Sequence, residues 1–296
     1  MTRCGFVAVI GPSNAGKSTL ANALVGQKVA IVTRKAQATR ARLRAVVMHG
    51  EAQLILIDTP GIFTPKRRLD RAMVKAAWSG VRDADAALLV LDAAARLSPE
   101  AELSLKGLAE TGKPLYLALN KIDAVARPSL LALAEELNAR ADFAATFMIS
   151  ALKGDGLEDL KAALCAALPE SPFLYPADQA ADVPAAMLAA EITREKLFER
   201  LHEELPYALT VEPESWERRK DGSIRISQVI YVRRAGQKAI VLGAGGRNMK
   251  AVGAAARRTL EEMLDCRVHL FVFVKQRADW PDDPARYRAM GLDYGA

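Results

Sequence analysis

This chain of 296 residues has little cysteine, no long apolar run and no internal repeat, and each absence excludes a class of protein. Its 3 cysteines, Cys4, Cys165 and Cys266, are far apart and never stand in CxxC spacing, so neither a disulfide framework nor a zinc site is indicated. No apolar run reaches the roughly 18 residues that a membrane-spanning helix needs. Because the first predicted strand begins within 6 residues of the N-terminus, we expect no signal peptide and a cytoplasmic location.

The chain is rich in hydrophobic residues and has more basic than acidic ones. Hydrophobic residues make up 51% of it, enough to build the cores of one large domain or two ordinary ones. The formal net charge is +6 and the pI about 9.2, which favours an anionic partner. The positive charge is concentrated between Arg218 and Arg258, where eleven basic residues face a single acidic one, Asp221.

The stretch Phe6 to Leu20, FVAVIGPSNAGKSTL, reads as a buried strand, a glycine-rich loop and the start of a helix. Glycines in such a loop let successive backbone N–H groups point at phosphate oxygens, and the helix N-terminus adds its positive end. Lys17 would bring a charge to the β and γ phosphates, and Ser18 would offer its hydroxyl to Mg²⁺. The predicted nucleotide contacts of this loop are Gly11, Pro12, Ser13, Asn14, Ala15, Gly16, Lys17, Ser18 and Thr19.

A second motif follows the apolar stretch Gln53 to Asp58 and reads Asp58-Thr59-Pro60-Gly61. Taken alone, DTPG indicates only a turn. A carboxylate at the end of a buried strand beside a phosphate loop is placed to hold the Mg²⁺ shell, and the Gly61 N–H can bond a γ-phosphate. We therefore add Asp58, Thr59, Pro60 and Gly61 to the predicted nucleotide site.

Two further loops predict which base is bound. In Asn120-Lys121-Ile122-Asp123, the Asp123 carboxylate matches the adjacent N1–H and N2–H₂ donors of guanine, which adenine lacks. Asn120 can reach the N7 and O6 edge, and the stem of Lys121 can cover a ring face. A backbone N–H in Ser150-Ala151-Leu152 can donate to O6 and exclude an adenine amino group.

Apolar runs that alternate with helical segments over residues 1–168 predict an α/β domain with a doubly wound, mostly parallel sheet. In such a sheet the ligand loops lie at the carboxyl ends of the strands. The proline-rich residues 169–183 are a predicted linker. Residues 184–296 predict a smaller α+β domain in the order helix, strand, strand, helix, helix, strand, with a C-terminal tail.

The motifs GPSNAGKS, DTPG, NKID and SAL, in this order, resemble those of the translation-factor-type GTPases. Three further features narrow the resemblance to the Era family of bacterial GTPases: the segment TRKAQATR around Thr39, the segment GVRDADAALLVLDA and a C-terminal GxxG module. The resemblance implies GTP and GDP as ligands, Mg²⁺ held by Ser18, Thr39 and Asp58, and slow GTP hydrolysis. It implies Thr39 as the switch threonine, for which Thr33 is the competing candidate.

The same resemblance implies a type II KH domain that binds the 3′ region of 16S ribosomal RNA during assembly of the 30S subunit. A KH module clamps about four nucleotides against its GxxG loop. The predicted RNA contacts are Arg225, Lys238, Gly243, Ala244, Gly245, Gly246, Arg247 and Lys250. A glycine-rich turn between two helices explains GxxG alone equally well, and Ala244 stands where similar proteins often carry a lysine. We expect a monomer with no DNA partner, and peripheral association at the inner face of the cell membrane is the alternative to a purely cytoplasmic location.

Two positions bear on catalysis. Ile62 follows DTPG where Ras-type enzymes carry the glutamine that orients water, so intrinsic hydrolysis should be slow. Asn14 matches the position that ligates K⁺ in GTPases that use this cation, although an asparagine that merely tolerates a tight turn explains it as well. The predicted catalytic set is Lys17, Thr39, Gly61 and Asn14. Equal hydrolysis rates in K⁺ and Na⁺ would exclude a role for K⁺.

Two other functions fit parts of the sequence. A GTPase whose basic face binds anionic lipid would use the second domain as an interaction module, but no strongly amphipathic basic helix is evident. A metabolic NTPase would need an acceptor-substrate motif, and none is apparent. Comparison of RNA pulldown with liposome flotation distinguishes the lipid-binding function from the RNA-binding function. Multiple turnover on a small acceptor would support the metabolic NTPase.

Overall fold

The computed structural model describes residues 1–33, 35, 39–40, 43–95 and 97–296, and strands alternate with helices after the phosphate loop as predicted. The strands of the first part are β1 (Arg3–Ile10), β2 (Leu43–His49), β3 (Ala52–Asp58), β4 (Ala86–Asp92), β5 (Leu115–Asn120) and β6 (Ala145–Ile149). The helices between them are α1 (Lys17–Val25), α2 (Arg68–Asp83), α3 (Pro99–Ala109), α4 (Arg127–Asn138) and α5 (Leu157–Ala166). The prediction of an α/β fold is confirmed.

The six-stranded sheet has the order β2-β3-β1-β4-β5-β6, and all neighbouring pairs are parallel except β2 with β3. All seven residues of β3 are buried, which is the pattern of a strand covered on both faces. The parallel strands end at one edge, where β3 delivers Asp58 and β5 delivers Asn120. Asp92, the last residue of β4, lies in register with Asn120.

A second sheet of three strands belongs to the smaller part of the chain. Its elements are α6 (Ala185–Arg200), β7 (Leu209–Arg218), β8 (Ile224–Val232), α7 (Ala235–Leu242), α8 (Arg247–Leu264) and β9 (Val268–Gln276), and α9 (Pro284–Ala289) follows. β7 is antiparallel and β9 parallel to the central β8. Ile226 of β8 packs against Leu260 of α8, so the even-numbered face of β8 is turned toward the helices. The predicted order of helices and strands is confirmed.

The compact units divide the chain differently from the predicted domains. One unit contains residues 1–30, 36–182 and 287–296, and the other contains residues 31–35 and 183–286. Within the polar segment Thr33–Arg42, positions 34, 36–38, 41 and 42 lie outside the described residues. The predicted C-terminal tail of the second domain thus ends in the first unit.

Most of the predicted linker also packs on the first unit. The Val46 N–H of edge strand β2 donates to the Ala180 carbonyl at 2.8 Å, and the Asp182 N–H donates to the Arg44 carbonyl at 2.9 Å. The wholly buried Gln53 side chain accepts from the Tyr175 N–H at 3.0 Å. An edge strand exposes backbone donors and acceptors that need partners, which explains why this proline-rich segment lies along it.

No helix within the described ranges has both the length and the apolar character needed to cross a membrane.

Two helical glycines provide a matched test of packing. A Cβ added to Gly107 in α3 would lie 2.3 Å from Cη2 of the half-buried Trp78 of α2, whereas one added to Gly253 in α8 would meet no atom within 4 Å. Replacing a helical glycine by alanine contributes up to about 1 kcal/mol, and overpacking costs about 1–3 kcal/mol. We expect Gly107→Ala to lower and Gly253→Ala to raise the urea midpoint of its own unit. A rise for Gly107→Ala would show that the Trp78 ring moves aside without cost.

Candidate functional site

The phosphate loop runs from the end of β1 into α1, and neighbouring atoms leave no space for a side chain at Gly11 or Gly16. Gly11 has φ 150° and Gly16 has φ 96°. A Cβ at Gly11 would lie 2.2 Å from the Val90 carbonyl oxygen, and one at Gly16 would lie 2.2 Å from Asn120 Nδ2. Residues 11–19 therefore form the tight loop and first helical turn that the sequence predicts.

Lys17 is enclosed by its own loop. Its side chain is buried, and its Nζ donates to the carbonyl oxygens of Gly11 at 3.0 Å and Pro12 at 2.8 Å. Burial lowers the pKa of Lys17 to about 8, while Asp58 acts in the opposite direction. An ammonium group held in this way is short of negative partners, which the oxygens of a bound phosphate supply.

Ser18, Thr39 and Asp58 meet beside the loop. Ser18 Oγ donates to Asp58 Oδ2 at 2.9 Å and lies 3.1 Å from Thr39 Oγ1. The competing threonine, Thr33, instead accepts the Lys35 N–H at 3.2 Å and belongs to the other unit. The structure therefore brings together the three residues predicted to hold Mg²⁺, and Thr39 rather than Thr33 is the threonine among them.

The Asp58 carboxylate fits a cation on its own chemistry. The residue is wholly buried, and its Oδ1 has no hydrogen-bond partner among the described residues. Burial raises the pKa of Asp58 to about 6, although Lys17 and the Ser18 hydroxyl both act to lower it. One carboxylate and two hydroxyls are hard oxygen ligands of the kind Mg²⁺ takes together with phosphate oxygens. When bound, Mg²⁺ would neutralise charge on the β and γ phosphates.

The DTPG loop closes against the phosphate loop. The Thr59 hydroxyl donates to the Val9 carbonyl at 2.6 Å, and the Ile62 N–H donates to the Gly11 carbonyl at 3.1 Å. A Cβ at Gly61 would lie 2.8 Å from Ser13 Oγ, so a larger residue could not pass this close. Pro60 is buried in the same turn. Ile62 is wholly buried and packs in the core of the sheet, where its side chain offers no group that could orient water.

Asn120 joins three loops through one side chain. Its Nδ2 donates to the Ala15 carbonyl at 2.8 Å, and its Oδ1 accepts the backbone N–H groups of Lys121 at 2.8 Å and Ala151 at 3.0 Å. The Ala151 N–H, one of the donors considered for guanine O6, is therefore bonded to Asn120 in this structure. The amide nitrogen of Asn120 carries a second hydrogen, which a base nitrogen such as N7 can accept.

Lys121 bridges the base loop and the phosphate loop. It has φ 67°, and its Nζ donates to the Asn14 carbonyl at 2.8 Å and to Asp92 Oδ2 at 2.6 Å. The second Asp92 oxygen accepts the Ala94 N–H at 2.9 Å. Our sequence reading did not assign Asp92. The available signal was that LLVLD, like LILID, is a buried strand that ends on an acid.

Asp123 and Ser150 form the predicted base-reading pair. The Ser150 hydroxyl donates to Asp123 Oδ1 at 2.6 Å, and this bond lowers the pKa of the exposed Asp123 carboxyl. The carboxylate is thereby kept ionised and oriented at the mouth of the site, as a partner for two adjacent N–H donors must be. Leu152 is 80% exposed, so its side chain is not part of the enclosed site.

The glycine loop of the second unit lies between α7 and α8. Gly243, Gly245 and Gly246 all have positive φ, at 72°, 59° and 77°. A Cβ at Gly243 would lie 2.8 Å from Asn248 Cγ, whereas Cβ atoms at Gly245 and Gly246 would meet no atom within 4 Å. This part of the loop is open to the approach of another backbone. Arg247 and Lys250 are exposed in the first turn of α8, which carries no acidic residue.

The structure does not bring all the predicted RNA contacts together. Lys238 lies on α7, but Arg225 lies on β8, on the odd-numbered face of the sheet that is turned away from the helices. There the Arg225 guanidinium lies 5.2 Å from the Phe271 ring centroid and 3.9 Å from the Glu217 carboxylate. Arg225 thus lies on the opposite face of the sheet from α7 and α8, the helices that flank the glycine loop.

Comparison with protein families matches two parts of the chain. Residues 6–121 match a family described as 50S ribosome-binding GTPase, and residues 204–281 match the KH domain family. The first match covers the phosphate loop, DTPG and the start of NKID. The second covers β7, β8, the glycine loop and β9.

Curated relatives are similar over the whole chain. GTPase Era of Afipia carboxidovorans is 58% identical over 293 residues, which cover 99% of this chain and 95% of that protein. GTPase Era of Rhizobium meliloti is 57% identical over 293 residues, which cover 99% and 94%.

Solved Era structures have the same fold. A variant of Aquifex aeolicus Era bound to GDP·AlF₄⁻ is 35% identical with a TM-score of 0.92, covering 98% of this chain and 99% of that one. An Era complex with MgGDPNP and nucleotides 1506–1542 of 16S ribosomal RNA matches with the same identity, TM-score and coverage. The motifs, the arrangement of the site and the full-length similarity agree, and the chain belongs to the Era family of GTPases.

Proposed function

We propose that this protein is a GTP-controlled switch that binds the 3′ region of 16S ribosomal RNA and acts in maturation of the small ribosomal subunit. It binds GTP and GDP with Mg²⁺ in the first unit and RNA through the KH domain in the second. The observation that carries the proposal is the convergence of four nucleotide loops at one sheet edge, on a chain that also presents an open GxxG loop. A related Era protein has been crystallised with both kinds of ligand.

Hydrolysis of GTP by this protein is slow. Lys17 would neutralise charge on the reacting γ-phosphate and the Gly61 N–H would position it, while the hydroxyls of Ser18 and Thr39 would hold Mg²⁺ together with Asp58. Ile62 supplies no group to orient water. A K⁺ ion held by Asn14 is proposed to offset part of this loss, and the φ of 64° at Asn14 equally suits an asparagine that serves the turn.

RNA recognition follows from the glycine loop and its surroundings. Single-stranded RNA approaches Gly245 and Gly246, where side chains are absent, and its phosphates meet Arg247, Lys250 and the N-terminal end of α8. Ala244 contributes no charge, so the loop acts mainly through shape. Arg225, on the other face of the sheet, is the weakest member of the predicted contact set.

The proposed location is the cytoplasm, and peripheral membrane association is the alternative. Crosslinking in cell extract with GTP and with GDP, followed by sequencing of the bound RNA, tests the proposal directly. Recovery of the 3′ end of 16S ribosomal RNA in a nucleotide-dependent amount is the expected result. Flotation of the protein with anionic liposomes, without recovery of ribosomal RNA, would favour the membrane function instead.

Exchange of one carboxylate for an amide should change base preference. Asp123→Asn removes a pair of charge-assisted hydrogen bonds to guanine, so we expect GTP affinity to fall at least about tenfold. Its amide donor suits the C2 carbonyl of xanthine, so we expect XTP affinity to rise. Asp142→Asn, at an exposed acid in the loop before β6, is the matched control and should change neither affinity. Unchanged affinities in Asp123→Asn would remove this residue from the base site.

Asp92 should act through Lys121. We expect Asp92→Ala to weaken GDP binding by about three- to tenfold, and to have little further effect in a Lys121→Met background, with a coupling of about 1 kcal/mol between the two sites. Asp85→Asn, at the opposite end of β4, is the control and should leave GDP affinity unchanged. Additive effects of Asp92→Ala and Lys121→Met on the measured dissociation constant would contradict this role.

The glycine loop can be tested by a pair of isosteric variants. Gly245 has space for a side chain and a φ that Asp and Asn tolerate, so Gly245→Asp and Gly245→Asn should both fold. Both place a side chain against the RNA, and only Gly245→Asp adds a negative charge beside phosphate. We expect affinity for a 16S 3′-end oligonucleotide to fall in both, more so for Gly245→Asp at low salt, with GTP affinity unchanged. Wild-type RNA affinity in Gly245→Asp would place the RNA elsewhere.

A further inference from the structure

The last ten residues, Tyr287–Ala296, which we call the C-terminal segment, pack on the first unit although the preceding residues belong to the second. Tyr287 is 1% exposed and Leu292 is 4% exposed. They share one apolar cluster with residues from α2 and from the loop before it. The buried members of this cluster are Phe63, Ala72, Met73, Ala76, Tyr287 and Leu292.

Polar and aromatic contacts fix the same segment along two turns of α2. Lys75 Nζ lies 2.6 Å from Asp293 Oδ2, and this contact lowers the pKa of Asp293. The Arg68 guanidinium lies 4.6 Å from the centroid of the Tyr294 ring. The Tyr294 and Tyr287 rings meet edge to face with centroids 5.0 Å apart. The segment is therefore held against α2 at several points.

Phe63 connects this cluster to the nucleotide site. It is two residues beyond Gly61, whose backbone lies against Ser13 of the phosphate loop. The intervening residue, Ile62, donates its N–H to the Gly11 carbonyl. Phe63 therefore follows the DTPG loop directly, and it is 5% exposed in the cluster that contains Tyr287 and Leu292.

Helix α9 contains both the last residues of the second unit and the first residues of the C-terminal segment. Arg286 is the last residue of that unit and is buried. Its Nη2 donates to Glu212 Oε2 at 3.3 Å, and its guanidinium carbon lies 4.6 Å from the centroid of the Tyr231 ring. Tyr287 follows directly, and both residues lie within helix α9.

We propose that the C-terminal segment is a positioning element for the DTPG loop, holding it where the Gly61 N–H can bond a γ-phosphate. This inference rests on the proposed function. A loop held in its bound position loses less conformational entropy when the γ-phosphate binds. GDP has no γ-phosphate and does not use this bond, so loosening the segment weakens GTP binding selectively.

The test measures affinities for GDP and for the non-hydrolysable analogue GDPNP, both with Mg²⁺, on the full chain. Leu292→Ala removes a buried anchor and is expected to weaken GDPNP binding about tenfold while GDP affinity stays within about twofold of wild type. Arg288→Ala, at an exposed residue of the same segment, is the matched control and should change neither affinity.

A charge exchange keeps the test valid if Leu292→Ala does not fold. Lys75 and Asp293 are 53% and 57% exposed, so their substitution leaves the core intact. Lys75→Glu and Asp293→Lys alone should each weaken GDPNP binding about threefold, as expected for a surface pair, and the double variant should recover wild-type affinity. Recovery identifies the contact itself as the cause.

Two results overturn the inference. One is that the GDP and GDPNP affinities both stay at their wild-type values in Leu292→Ala and in both single charge variants. The other is an equal loss of GDP and GDPNP affinity, which would mean that the segment only supports the fold. If wild-type protein binds guanine nucleotides and hydrolyses GTP, either result leaves the proposed function standing. Failure of wild-type protein to bind GTP overturns both.

Discussion

The nucleotide site is built around two ionisable side chains, Lys17 and Asp58, that are buried although charged groups ordinarily prefer water. Burial lowers the pKa of Lys17 to about 8 and raises that of Asp58 to about 6, so each group is held in surroundings that disfavour its charge. The two loops that carry them must be folded tightly to keep water out. Phosphate oxygens and a cation supply the missing partners, and ligand binding therefore stabilises the fold as well as using it.

The parallel sheet makes this arrangement possible because its strands deliver their last residues to one edge. Two side chains then connect the loops to one another. Asn120 bonds the phosphate loop and the loop after β6, and Lys121 bonds the phosphate loop and Asp92 at the end of β4. The base loop and the phosphate loop are thus parts of one hydrogen-bonded structure, which also includes Asp92.

The second unit binds its partner in a different physical way. Its glycine loop leaves open space at Gly245 and Gly246, beside the exposed basic side chains of Arg247 and Lys250. Such a surface gains affinity chiefly from phosphates and is sensitive to salt. The C-terminal segment follows this unit in the sequence and packs on α2 and Phe63 of the first unit.

Local chemistry is what the sequence alone was sufficient to determine. A phosphate loop, DTPG, NKID and GxxG each carry their function in a few consecutive residues, because backbone conformation and side-chain type at short range decide what such a loop can bind. The alternation of buried strands with helices likewise predicted the α/β sheet, since strands covered on both faces are apolar throughout. The order of helices and strands in the second domain was predicted in the same way and is confirmed.

Only the tertiary structure decided which distant residues meet. Asp92 and Lys121 are 29 positions apart, Gln53 and Tyr175 are 122 apart, and Lys75 and Asp293 are 218 apart. The hydrophobic periodicity of a helix or strand extends over a few residues only, so it cannot predict contacts between residues this far apart in the sequence. The proline-rich residues 169–183 read as a linker because prolines break regular structure, yet they satisfy the open edge of β2. The C-terminal tail was predicted as part of the second domain, and it is the apolar surface offered by α2 and Phe63 that gives residues 287–296 a place in the first unit.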